Sequence, residues 1–185
     1  MRILHLIQKP QNRGAETFAC QLANHQEILG NEVKVVSVFS GNANLPWKKE
    51  IESLDASVAN RFFDLKAWSK LNRLIRKFNP DIVQANSADT LKYAIFSKRV
   101  FGLNNPIISR NASEIGRYIK SPLQKSLNSF FYRNVQSVIS VSQASENDIL
   151  ELFPFLTGRT IVIPVGLEPI SRIEEIKLKP EDCQH

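Results

Sequence analysis

Ile3-Leu4-His5-Leu6-Ile7-Gln8-Lys9-Pro10-Gln11-Asn12-Arg13-Gly14-Ala15 is the stretch on which the reading of this chain turns. An apolar, strand-like run at its start passes directly into a polar turn, and a long helical pattern opens at Ala15. A glycine between an N-terminal strand and a helix start is where α/β proteins seat anionic groups, because the first N–H groups of the helix lack internal partners and point there.

The same alternation continues along the chain. Strands are expected at residues 2–7, 32–38, 60–64, 81–85, 106–109, 137–141 and 160–163. Val33-Lys34-Val35-Val36-Ser37-Val38 and Val138-Ile139-Ser140-Val141 are nearly continuous apolar runs, as strands covered on both faces are. Helical patterns fill the gaps. Phe18, Leu22, Ala23, Ile28 and Leu29 form a stripe that Gly30 closes; Trp68, Leu71, Leu74, Ile75 and Phe78 form another that Asn79-Pro80 stops. Further helices are expected over 88–101, from Ser121-Pro122 to 133, and over 143–152. Residues 40–58 are less regular and read as a loop with a short helix around Trp47–Leu54. Strand and helix in strict alternation predict a doubly wound, mainly parallel α/β sheet of about seven strands with helices on both faces. Residues 1–170 form that domain, and 171–185 read as a linker or as the start of a further domain.

At 185 residues and 43% hydrophobic, the chain is long enough to bury one ordinary core. Cys20 on a helix and Cys183 in a polar tail argue against a disulfide and for a reducing compartment. No secretory signal or membrane span is visible, so a cytoplasmic location is expected. The net charge of +6 is concentrated. Lys66, Lys70, Arg73, Arg76 and Lys77 occur with no acid among them, as do Arg117, Lys120, Lys125 and Arg133. Such stretches attract phosphates or an anionic surface, or else form a solvated helix face.

The turn lacks the three glycines of a dinucleotide fingerprint, and no Walker-type loop is present. Gly14 therefore either lets a diphosphate approach the helix start, with Arg13 adding charge, or serves turn geometry alone. Beyond the other strands stand Gln84, Asn86 and Ser87, then Ser109, Arg110, Asn111 and Ser113, then Ser142 and Gln143. Neutral amides and hydroxyls with one arginine suit sugar hydroxyls and phosphates, although Ser87, Ser113 and Ser142 also read as helix caps. The histidines His5, His25 and His185 form no cluster, and no metal-ligand spacing, D-x-D pair or nucleophile triad occurs. No cofactor, metal or nucleic-acid partner is expected.

Arg13-Gly14-Ala15-Glu16 after the first strand, Asn79-Pro80-Asp81-Ile82-Val83-Gln84-Ala85-Asn86, Val141-Ser142 opening a helix, and Ile163-Pro164-Val165-Gly166-Leu167-Glu168 come in a familiar order. Residues 1–168 resemble the N-terminal domain of GT-B-fold glycosyltransferases of family 4, retaining enzymes that build cell-surface polysaccharides. The resemblance implies a Rossmann-like half that binds the acceptor, a glycan or lipid-linked sugar, while a C-terminal domain holds most of the nucleotide sugar. It implies that Arg13, Gly14 and Ala15 approach the donor diphosphate, and that Asn86, Arg110, Asn111 and Ser142 face the acceptor or transferred sugar. Many relatives have histidine after the fourth and fifth strands, where this chain has Gln84 or Asn86 and Arg110, and Asn where it has Val165. The glutamate pair of the C-terminal domain is not in these residues. The expected function is thus an enzyme half, inactive alone and peripheral on the inner membrane face. The alternatives are a stand-alone α/β binding module for an anionic or sugar ligand, or half of a sugar-nucleotide epimerase.

Overall fold

The computed structural model describes residues 1–60 and 63–166. Its elements run β1 (Arg2–Ile7), α1 (Gly14–Ile28), β2 (Glu32–Ser37), β3 (Glu52–Ser53), α2 (Leu65–Phe78), β4 (Ile82–Ala85), α3 (Ala88–Phe101), β5 (Ile107–Asn111), α4 (Pro122–Arg133), β6 (Ser137–Ser140), α5 (Gln143–Leu152) and β7 (Thr160–Val162). One seven-stranded sheet in the order β3-β2-β1-β4-β5-β6-β7 contains all the strands of the described residues, each pair parallel. The doubly wound expectation is met. The C-terminal stretch 171–185 lies outside the described residues.

Local chemistry sets the helix limits. Ser87 and Ser142 each form a capping box, with Thr90 and Ser145, at the starts of α3 and α5. Pro122 occupies the first turn of α4, where its missing N–H costs nothing. Gly102 ends α3 in the left-handed region at φ 65°, which a Cβ disfavours.

The third strand is not where the sequence suggested. Residues 60–64 were expected to be extended, yet Asn60 lies in a turn and Asp64 caps α2; 61 and 62 lie outside the described residues. The Asp64 carboxylate accepts from the amides of Ala67 (2.9 Å) and Ser57 (3.1 Å), which commits this backbone to a helix start. Nor does a helix form around Trp47–Leu54. Leu45 and Trp47 instead pack beneath α1, held by the Asn24 amide on the Pro46 carbonyl, and the chain then adds β3 to the sheet edge.

Successive strand residues face opposite sides. Leu4 and Leu6 of β1 join the large core with α2–α5, whereas Ile3 and Ile7 meet Ala19, Cys20 and Ala23 of α1. Among the described helices, α1 is thus alone on its face. Beyond β5 that face is open: Ile161 and Ile163 are 53% and 48% exposed.

Chain direction positions the site. From β1 the chain crosses through α1 to β2 on one side, then returns through α2 to β4 on the other. The carboxyl ends of β1 and β4 therefore diverge into the crevice where ligands of such sheets bind.

Candidate functional site

At this switch point a cleft of about 260 Å³ opens, lined by Gln8, Gln11, Arg13, Ser40, Val58 and Asp89 among others. A chain of polar contacts forms its floor. Gln8 Nε2 donates to Asp89 Oδ2 at 2.7 Å, which ties the end of β1 to the start of α3. Gln11 Nε2 reaches Gln8 Oε1 at 3.1 Å and Glu16 Oε1 at 3.0 Å. Asp89 also pairs with Lys92 at 2.7 Å, both side chains largely buried. The turn is held from outside by Gly41, where a Cβ would collide with the Pro10 carbonyl oxygen. Two amides and an arginine beside engaged carboxylates make a surface for hydroxyls and anions.

Arg13 occupies the N-cap position of α1 without capping it, so its exposed side chain is available in the cleft. Gly14 and Ala15 form the first helical turn. A Cβ on Gly14 would meet nothing within 4 Å, so packing does not demand glycine there, and space is left above the helix start. Asn86 lies below, at the end of β4 and 3% exposed; its amide donates to Leu6 O at 3.1 Å and its oxygen accepts from Gln84 at 2.9 Å. Arg110 lies on β5 with its guanidinium 4.1 Å over the Phe18 ring of α1. Asn111 donates to Ser145 O at 3.0 Å, fastening β5 to α5, and the Ser142 hydroxyl caps α5. Arg13 alone of these enters the cleft lining; the others border the same sheet edge.

Sequence reading passed over Gln8, Gln11 and Asp89 as site residues, and Glu16 as a buried acid. The polar turn and the acid just after Asn86 were visible, but their contact spans 81 positions.

His5 is fully buried on β1, beside Gln26 at 2.7 Å, and burial holds it down at about 4. It is a neutral interior group at ordinary pH. Burial, then the charge of Glu16, pushes the Cys20 thiol up to about 11, so it is no nucleophile. Among the described residues no three His, Cys, Asp or Glu side chains are grouped to hold a metal ion, and no helix is long and apolar enough to cross a membrane.

The family description Glycosyltransferase Family 4 matches residues 12–169. No curated protein matches the sequence. Among solved structures, HepE from Anabaena in complex with UDP and glucose is similar at TM-score 0.69 and 17% identity, over 91% of this chain and 45% of its own. A glycosyltransferase from Rickettsia africae is similar at 0.68 and 21%, over 98% of this chain and 47% of its own. The UDP-N-acetylglucosamine 2-epimerase of Rickettsia bellii follows at 0.59 and 12%, over 89% and 45%. The chain spans less than half the length of each.

Proposed function

The chain belongs to Glycosyltransferase Family 4, and from that premise we propose that it is the acceptor-side, N-terminal half of a retaining glycosyltransferase. The whole enzyme would move a sugar from a nucleotide-sugar donor to a glycan or lipid-linked acceptor, and this half would be inactive alone. The observation that carries the reading is the switch-point cleft, with the uncapped start of α1 on one side and amides on the other. A second domain would bind most of the nucleotide; the crystallised complexes of HepE with UDP-glucose support a nucleotide sugar as donor.

In this reading Arg13 and the free amides of Gly14 and Ala15 meet the donor diphosphate, where the helix dipole favours negative charge. Arg110 and the edge groups Asn86, Asn111 and Ser142 bear on the acceptor side, Asn86 and Asn111 chiefly by shaping the edge through their inward bonds. Asp89 and Glu16 are engaged by Gln8, Lys92 and Gln11, so they orient the cleft. The chain's share of catalysis is positioning, which lowers the barrier by holding the reacting groups in line.

The location proposed is cytoplasmic, against the inner membrane face. Helix α2, which carries the first basic set, and helix α4, which carries Lys125 and Arg133 of the second, lie on the same face of the sheet, and α4 exposes Leu123 and Phe130.

Amide resonances of the isotope-labelled chain test the assignment. Titration with UDP-glucose and with neutral oligosaccharides is expected to shift Gln11, Gly14 and Ala15 with the former and the β4–β5 edge with the latter, without turnover. Shifts confined elsewhere, or sugar transfer by this polypeptide alone, refute it.

A further inference from the structure

Arg110 is the most isolated charge in the described structure. It is 7% exposed, its Nη1 is buried without a hydrogen-bond partner, and no ion pair reaches it among the described residues. Among the described residues its guanidinium stacks on the Phe18 ring. Burial lowers its pKa, but a guanidinium keeps its proton in proteins. Glu16 is also buried and its Oε2 has no hydrogen-bond partner, yet its Oε1 accepts from Gln11, whereas no hydrogen bond reaches Arg110 Nη1.

The position is at the ligand edge. The β4–β5 register pairs Gln84 with Ile108 and Ala85 with Ser109, so its next step sets Asn86 beside Arg110. Asn86 already donates its amide to Leu6 O, and its oxygen accepts from Gln84 Nε2. Stacking on Phe18 offsets part of the lost hydration, but it supplies no acceptor for Nη1 and no opposite charge. A neutral sugar would satisfy an N–H group and leave the charge uncompensated. A carboxylate or phosphate does both, since its two oxygens match the guanidinium fork.

We infer that the sugar recognised at the β4–β5 edge is acidic, and that Arg110 takes its anionic oxygen pair. The pair is either the carboxylate of a uronate or the phosphate of a phosphorylated sugar. This deepens the acceptor assignment and rests on it.

The test is binding of the full chain, by ligand-observed NMR, to D-glucuronate, glucose 6-phosphate, D-glucose and inorganic phosphate. One acidic sugar is expected to bind at least ~10-fold more tightly than glucose, the span of a charge-assisted over a neutral contact; which one wins identifies the anion's source. Arg110→Gln should abolish that preference and Arg110→Lys keep part of it, with circular dichroism checking the fold. Equal binding of glucose and both acidic sugars overturns the inference and leaves the acceptor reading intact. So does a preference that survives in Arg110→Gln, and so does inorganic phosphate binding as tightly as the sugar phosphate. Binding of none of the sugars overturns both readings. The comparison on the unaltered chain decides the matter even where a variant fails to fold.

Discussion

His5 shows how one buried side chain sets a pH limit on the domain. Its Nε2 meets Gln26 Oε1 and its Nδ1 faces the Asn86 amide at 3.5 Å, an arrangement that fits the neutral ring with its proton on Nε2. Protonation would charge a side chain with no exposed surface and turn a second N–H against an amide N–H. Burial therefore holds its pKa at about 4, below the ordinary 6.5. Between those values the unfolded chain binds the proton and the folded chain does not, so stability is complete above pH 6.5 and falls as pH drops toward 4. From pH 7 to pH 5 the loss should be about 2 kcal/mol. Asp55, held at about 2 first by Lys70 and then by Ser40 and Ser53, titrates below this window. Urea unfolding at the two pH values checks the figure against His5→Gln, which should be less stable at pH 7 but nearly flat with pH. Equal slopes in the two proteins would show that His5 is not the titrating group.

Helix α2 shows what a sequence reveals about an element and what it hides. Its apolar stripe, from Trp68 to Ile75, is buried as the periodicity predicts, and Asn79 ends it in the left-handed region at φ 46°. Its start was misread because Phe62-Phe63-Asp64 has the composition of a strand end, and Asp64 declares itself as a cap only through the Ala67 and Ser57 amides it accepts from. Removing it leaves two amides unsatisfied: Asp64→Ala should cost about 2 kcal/mol in chemical denaturation, and Asp64→Asn about half that. A loss within error of zero would mean that water replaces the cap. The true third strand, Glu52–Ser53, is too short to show alternation, and its pairing to β2 depends on Ser37 and Val38 carbonyls far back in the chain. The five long helices were legible because caps and stripes are local. The site divides likewise: the glycine turn and the polar strand ends could be read, whereas the Gln8–Asp89 bridge and the stacking of Arg110 on Phe18 exist only once distant segments meet.

Over the whole molecule, crossover handedness sorts the charge. Right-handed βαβ connections place α2 through α5 on one side of the sheet, so two basic stretches well separated in sequence share a face. Lys70 and Arg117 are paired with Asp55 and Glu114, while Lys66, Arg73, Lys77, Lys120 and Lys125 are exposed. The apolar stripe of α4 is divided: Phe131 is buried and Leu127 packs on the core, but Leu123 is 80% and Phe130 36% exposed. Each basic residue near an anionic leaflet contributes about 1 kcal/mol, so even three or four acting together give measurable binding. That attraction decays over about 8 Å at physiological salt, whereas apolar insertion is insensitive to ionic strength. Co-sedimentation with vesicles should therefore rise with the anionic lipid fraction and fall with salt. Leu123→Glu should remove the part that survives high salt, and Lys66→Glu with Arg73→Glu the part that does not. If neither neutral nor anionic vesicles sediment the chain, this face is a solvated surface, and if both sediment it equally the basic residues contribute nothing to the binding.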